Sequence, residues 1–228
     1  MKVAIILSGC GVFDGSEIHE AVLTMLAVVK NGGKYEMFAP DIPQFHVINH
    51  LTGEEMKESR NVLYESARIA RGQIHKLSDL QVENFDAVIM PGGFGAAKNL
   101  SDLAFKGAQC SVLPELEKII KDAVGQSKPI GALCISPAVI AKVLKGAEVT
   151  IGNDADTVKE IKKMGGIHTE TTNSQIIIDR KYNLVTTPCY MLDATILDIA
   201  NSAEEVVRAI FELCKSKPDF KMEWRSKK

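Results

Sequence analysis

Cys134 is the residue whose setting points most directly to chemistry. It stands within Pro129-Ile-Gly-Ala-Leu-Cys-Ile-Ser-Pro-Ala-Val-Ile-Ala-Lys-Val-Leu144. Pro129 to Leu133 read as a short buried strand, and from Pro137 onward Val139, Ile140, Val143 and Leu144 fall at helical spacing. Pro137 suits a first helical turn, where a missing N–H costs nothing. Cys134 is therefore placed on a strand-to-helix turn with the small residues Ala132 and Ser136 two positions to either side. Such a turn is the setting of a nucleophile elbow, here with a thiol in place of a hydroxyl. The N-terminus of the following helix favours negative charge, so the thiol is expected to ionise more readily than a free one. The competing reading is a cysteine that merely fills core space.

A cysteine that attacks a carbonyl needs N–H donors for the oxyanion that develops. Pro91-Gly-Gly-Phe-Gly95 follows another strand and offers Gly92 and Gly93, whose backbones no side chain shields; the N–H of Ile135 is a further donor at the elbow itself. The turn lacks the spacing and lysine of a phosphate-binding loop. Glu20 lies in the first turn of the first helix; pointing along the strand ends, it would reach the Cys134 sulfur and exchange a proton with it. Its alternative is a solvated carboxylate. Glu17 has a structural explanation, since Asp14-x-x-Glu17 matches a capping box. Cys10, Glu17, His50, His168 and Cys189 are further residues that could line the site. His46 and His50 stand four apart, but Asn49-His50-Leu-Thr-Gly argues against the helix a metal pair would need, and no HExxH pattern accompanies them. Neither a metal nor a cofactor is expected.

These residues need a frame that brings three turns to one end of a sheet. Lys2 to Ser8 is a continuous apolar run, as in a strand covered on both faces. Ser16 to Lys30 shows helical spacing through Ile18, Val22, Leu26 and Val29, Gly32-Gly33 stops it, and Tyr35 to Ala39 is a second strand. That opening predicts a right-handed crossover and a parallel sheet. Pro40 to Thr52 reads as a loop over the sheet end, Ser59 to Arg71 as a helix, Gly72 to Asn84 as a polar connection and Asp86 to Met90 as a strand. Val112 to Val124 is helical. Later come a short strand at Glu148 to Ile151, a helix at Thr157 to Met164, a hairpin from Gln175–Ile178 and Leu184–Thr187, and a helix over Leu192 to Leu213, interrupted near Asn201-Ser202. In an open α/β sheet, ligands sit beyond the carboxyl ends of the strands, where Gly9–Gly15, Pro91–Gly95 and Cys134 converge.

The 228 residues suit one core, residues 1–228 forming one domain with a peripheral tail at 215–228 that Trp224 could anchor. A net charge of −2 with interspersed signs disfavours nucleic acid as a partner. The five cysteines are scattered and odd in number, without a CxxC pair, which fits a reducing compartment. No apolar run is long enough to span a membrane, and the chain enters a strand at once, so the cytoplasm is the expected location.

Four longer stretches carry a family resemblance: Ser8-Gly-Cys-Gly-Val-Phe-Asp-Gly-Ser-Glu-Ile-His-Glu-Ala21, His46-Val-Ile-Asn-His-Leu-Thr-Gly-Glu-Glu55, Glu65-Ser-Ala-Arg-Ile-Ala-Arg-Gly72 and Gly131-Ala-Leu-Cys-Ile-Ser-Pro-Ala138. They resemble the ElbB subgroup of the class I glutamine-amidotransferase-like superfamily, in the branch of the PfpI proteases and the Parkinson-linked protein deglycases. The resemblance implies a flavodoxin-like three-layer α/β/α sandwich, with a mostly parallel sheet and a late hairpin, and a homodimer. It places Cys134 on the reactive cysteine, Glu20 on its carboxylate partner and Gly93 on the glycine facing the substrate oxygen. It further implies a cofactor-free glyoxalase acting on glyoxal or methylglyoxal, with protein deglycase activity and a link to isoprenoid biosynthesis. A redox or stress sensor, or a ligand-binding protein, is the alternative. Ile135 replaces the histidine that follows the nucleophile in related proteases, and Thr186-Thr-Pro-Cys-Tyr190 lacks the histidine of glutamine amidotransferases. Glutaminase and peptidase activities are therefore not expected.

Overall fold

The computed structural model describes residues 1–215. Apart from Lys215, the tail and Trp224 lie outside the described residues. In chain order the elements are β1 (Lys2–Ile6), α1 (Ile18–Lys30), β2 (Lys34–Ala39), α2 (Val62–Ile69), β3 (His75–Lys76), β4 (Ala87–Met90) and α3 (Phe94–Lys98). There follow α4 (Leu103–Lys106), α5 (Pro114–Gly125), β5 (Ile130–Leu133), α6 (Ser136–Val143), β6 (Glu148–Val149), α7 (Ala155–Lys163), β7 (Ile167–His168), β8 (Ile177–Asp179), β9 (Leu184–Thr187) and α8 (Ile196–Lys215).

Seven strands form one sheet in the order β3-β2-β1-β4-β5-β9-β8, parallel throughout except for β8, which is antiparallel to β9. β6 and β7 form a separate parallel pair. The continuous apolar runs are explained by coverage on both faces. In β1, Val3 and Ile5 join the core beneath α1, α2 and α8, whereas Ala4 and Ile6 join the core beneath α3, α5 and α6. Alternate side chains of a strand point to opposite faces, so each strand serves two cores. This is the flavodoxin-like three-layer α/β/α sandwich that the resemblance implies.

α1 departs from its simplest reading. Its periodic apolar residues Ile18, Val22, Leu26 and Val29 are 41 to 56 % exposed. Glu20, Ala21, Thr24, Ala27 and Val28 face inward instead. These are mostly small, which lets α8 pack closely along α1. α8 also runs unbroken through Asn201-Ser202, because Ser202 is buried and its hydroxyl bonds the Cys189 thiol rather than breaking the helix. The polar connection after α2 contains the edge strand β3, and α4 and β7 are additional short elements. Among the described residues, no helix is long and apolar enough to cross a membrane.

Candidate active site

β5 passes into α6 through Cys134, which has a left-handed backbone (φ 60°). A non-glycine residue rarely adopts this conformation, and a nucleophile elbow is one setting that demands it. The register of β5 with β9 sets the residue's position: Leu133 pairs with Thr187, and the Cys134 N–H donates to the Thr187 carbonyl at 3.0 Å. The side chain is turned inward and only 6 % exposed. Its sulfur accepts the N–H groups of Gly93 and Ile135.

The Pro91–Gly93 turn is held against the sulfur from two helices. Ser136 Oγ donates to the Pro91 carbonyl at 2.8 Å, and the Glu17 N–H donates to the Gly92 carbonyl at 2.9 Å. In a trans peptide C=O and N–H point in opposite directions. Holding the Gly92 carbonyl toward α1 therefore aims the Gly93 N–H away from it, at Cys134. A Cβ on Gly92 would lie 2.4 Å from the Cys134 Cβ and 2.9 Å from Glu20 Oε2. Only glycine fits.

Glu20 is fully buried at the start of α1. Its Oε2 accepts the Gly92 N–H at 2.8 Å, its Oε1 receives a longer 3.5 Å contact from the Tyr190 N–H, and the carboxyl also bonds the Cys134 thiol. Burial, reinforced by the negative charge of Glu17, pushes the carboxyl pKa up to about 8. The backbone donors and the thiol only partly oppose this. A solvated carboxylate is thus ruled out for Glu20. The Cys134 thiol is also pushed well above its ordinary value, first by burial and then by Glu20. This corrects the expectation of an easily ionised thiol: the donors at the helix start favour the thiolate, but desolvation beside an acid outweighs them.

The remaining candidates divide by position. Glu17 is the N-cap of α1 and accepts the Glu20 N–H at 2.7 Å, fixing the first turn that carries Glu20. Asp14 does not cap that helix. The Gly11–Gly15 turn, closed by a 2.7 Å bond from the Gly15 N–H to the Gly11 carbonyl, presents Asp14 to the Ile48 N–H at 2.7 Å. His50 Nδ1–H donates to the Ile48 carbonyl at 3.0 Å, leaving Nε2 to accept the Phe13 N–H at 3.2 Å. His168 Nε2 accepts the Ile151 N–H at 3.3 Å beside the small β6–β7 sheet. Cys10 is half-buried near Glu65, and burial followed by that charge raises its thiol. None of His50, His168 and Cys10 walls the cavity at Cys134. Cys189 is fully buried just beyond β9 at φ 45°, and burial, then the Glu20 charge, raises its thiol as well.

The Cys134 cavity has a volume of about 290 Å³, and Val12, Phe94, Ile135, Thr157, Tyr190 and Met191 make most of its walls. Tyr190 escaped the sequence reading. It contacts Glu20 through its backbone, and its hydroxyl pairs with His19 Nδ1 at 2.8 Å. Its place after β9, beside Cys189, was the available signal. A larger hollow of about 620 Å³ beside β2, lined by Tyr35, Met37, Arg71 and His75, presents neither a nucleophile nor a buried acid. Among the described residues, no group of three or more His, Cys, Asp or Glu side chains could hold a metal ion.

A buried thiol–carboxyl pair under two backbone donors can add to a carbonyl carbon and move the proton this releases. Comparisons with known proteins place the arrangement in context. A mitochondrial ES1 protein homologue of Rattus norvegicus is 46 % identical over 222 residues, covering 93 % of this chain and 84 % of its own. A mitochondrial glutamine amidotransferase-like class 1 domain-containing protein 3 of Homo sapiens is 45 % identical, covering 93 % and 83 %. These mitochondrial names overturn the cytoplasmic expectation, which rested on the scattered cysteines, the lack of a membrane-spanning run and the first residues of the chain. A crystal structure from Ehrlichia chaffeensis, an isoprenoid biosynthesis protein with an amidotransferase-like domain, superposes with a TM-score of 0.88 at 37 % identity, covering 93 % of this chain and 99 % of that one. The model of the DJ-1/PfpI family matches residues 2–191, a span that includes the elbow, the double-glycine turn, Glu20 and Tyr190, and this chain belongs to that family.

Proposed function

We propose that the chain is a cofactor-free glyoxalase of the ElbB type, converting 2-oxoaldehydes and water into 2-hydroxy acids, with deglycase action on related adducts. The observation that carries this reading is the pairing of Cys134 with Glu20, whose carboxyl is raised to about 8, beside the Gly93 and Ile135 N–H groups. Glu20 accepts the thiol proton as sulfur adds to the aldehyde carbon, and the backbone N–H groups are the donors at hand for the resulting alkoxide. In the hemithioacetal, transfer of the aldehyde-carbon hydrogen as a proton to the neighbouring carbonyl carbon oxidises the first to a thioester. The second is reduced to an alcohol. Water then displaces the sulfur, releasing the hydroxy acid and restoring the thiol. No external oxidant is needed.

The exposed stripe Ile18, Val22, Leu26 and Val29 supports a homodimer through α1. Leu26→Glu is expected to shift the protein to monomer in sedimentation, and an unchanged mass would rule out this face. A mitochondrial setting follows the names of the relatives. The decisive test of the activity is formation of glycolate from glyoxal, followed by NMR, with wild-type protein and Cys134→Ala. Equal rates would refute the covalent mechanism.

A further inference from the structure

The cavity at Cys134 has a neighbour across part of its wall. Phe94, Ile135 and Thr157 bound it and also bound a second hollow of about 400 Å³ that runs toward Leu103, Ala104 and Phe105. Phe94, on the shared wall, is 48 % exposed, and Phe105, on the second hollow, is 44 % exposed. We propose that this second hollow is a subsite for the apolar tail of the electrophile that Cys134 attacks. The preferred substrates are then 2-oxoaldehydes with an extended unbranched alkyl chain, rather than glyoxal itself. The proposal rests on the reading of Cys134 as the nucleophile.

Size argues for it first. The second hollow, at about 400 Å³, lies within the roughly 300–1,000 Å³ typical of small-molecule sites, and a dialdehyde of four heavy atoms at the sulfur leaves it empty. Charge argues for it next. Along α7, Asp154 is committed to the Thr157 N–H at 2.9 Å, and Glu160 to the Ala108 N–H and Lys163, each at 2.6 Å. Asp156 and Lys159 also bound the hollow, with opposite signs. Asp154, Asp156 and Glu160 against Lys159 and Lys163 leave an excess of negative charge that disfavours an anionic tail, while Phe94, Ala97, Leu103 and Phe105 offer apolar surface. Adjacency to the sulfur's cavity is the third argument. A chain attached to a carbon bonded to Cys134 would enter this hollow by displacing the side chains the two cavities share, Phe94, Ile135 and Thr157.

The test uses N-alkyl iodoacetamides from the parent reagent to N-octyl. In this reaction the Cys134 sulfur bonds the methylene carbon, the C–I bond breaks, iodide leaves and the thiol proton passes to Glu20 or water. Rates at Cys134 are read by peptide mass spectrometry and normalised to glutathione. The normalised rate is expected to rise roughly threefold to fourfold per methylene over the first several, corresponding to ~0.8 kcal/mol per buried CH₂. Ala104 is exposed, so Ala104→Trp would obstruct the hollow and Ala104→Asp would charge it with little risk to folding. Both should flatten the series while leaving the parent iodoacetamide rate unchanged.

A flat series in the wild type overturns the proposal, as does an undiminished rise in both variants. A series that rises only when the protein is diluted to monomer assigns the hollow to a second copy and also overturns it. Alkylation requires no turnover, so failure of the glyoxalase reading is seen separately, as the absence of hydroxy acid from every 2-oxoaldehyde tried. Where turnover occurs, kcat/KM should climb from methylglyoxal to 2-oxooctanal with the same slope.

Discussion

The turn at Cys134 and the loop at His50 hold similar groups and use them in opposite ways. At Cys134 a thiol, a buried carboxyl and two backbone N–H groups converge on one atom that walls a cavity. At His50 an imidazole and the Asp14 carboxyl are occupied by the backbone of Phe13 and Ile48. Both regions are rich in titratable groups. What separates chemistry from scaffolding is where the hydrogen bonds end: on a group that can react, or on peptide groups that hold a loop in place.

The comparison is broken most sharply at the sulfur. Cys134→Ala should lower glyoxal turnover by at least about 10³-fold, the scale on which loss of a covalent nucleophile is felt. Its thermal midpoint should stay close to the wild-type value. Retained turnover would move attention to Cys189, the other thiol beside Glu20.

Glu20→Gln should be the next largest effect, about 10²–10⁴-fold in turnover, as expected for loss of a proton-transfer group. Its signature is in pH. The pair is inactive while both groups hold their protons, so wild-type kcat/KM should rise with pH as Glu20 deprotonates near pH 8. The apparent value belongs to the coupled pair. Stability should move the other way. A carboxyl whose pKa is raised on folding keeps a proton that the unfolded chain has lost, so its contribution is full below about pH 4 and declines as pH rises toward 8. Urea denaturation at several pH values should give a flatter dependence for Glu20→Gln than for the wild type. A kinetic profile that keeps its rise in this variant would remove Glu20 from the mechanism.

His50→Ala should be the mildest. It frees the Phe13 N–H and the Ile48 carbonyl on an accessible loop, where water replaces part of the lost bonding, so about 0.5–1.5 kcal/mol of stability should go. Turnover per folded molecule should hold within a few-fold. A hundredfold loss would show that the loop takes part in the reaction.

The elbow was readable in the sequence because the change of hydrophobic period brackets Cys134 from both sides, and the buried parallel strands were readable as unbroken apolar runs. The orientation of α1 was not, because periodicity reveals that a stripe exists and is silent on whether anything covers it. Elements as short as β3, α4 and β7 contain too few residues to display a period at all. The direction of the Cys134 thiol shift was misread for a related reason: a helix start is visible in sequence, whereas full desolvation beside Glu20 depends on long-range packing. Tyr190 went unseen because its contact with the acid is made by backbone. Asp14 and Glu17 showed a capping pattern, but the Gly11–Gly15 turn redirected Asp14 to a distant loop.

The left-handed backbone at Cys134 bears on how freely this position can vary. Any residue with a Cβ pays about 1–2 kcal/mol to remain there, and glycine does not. Cys134→Gly should therefore be more stable than Cys134→Ala by about 1 kcal/mol, although neither has a thiol. Selection for stability alone would drift this position toward glycine. Under the proposed function, a thiol where the backbone prefers glycine trades robustness for reactivity.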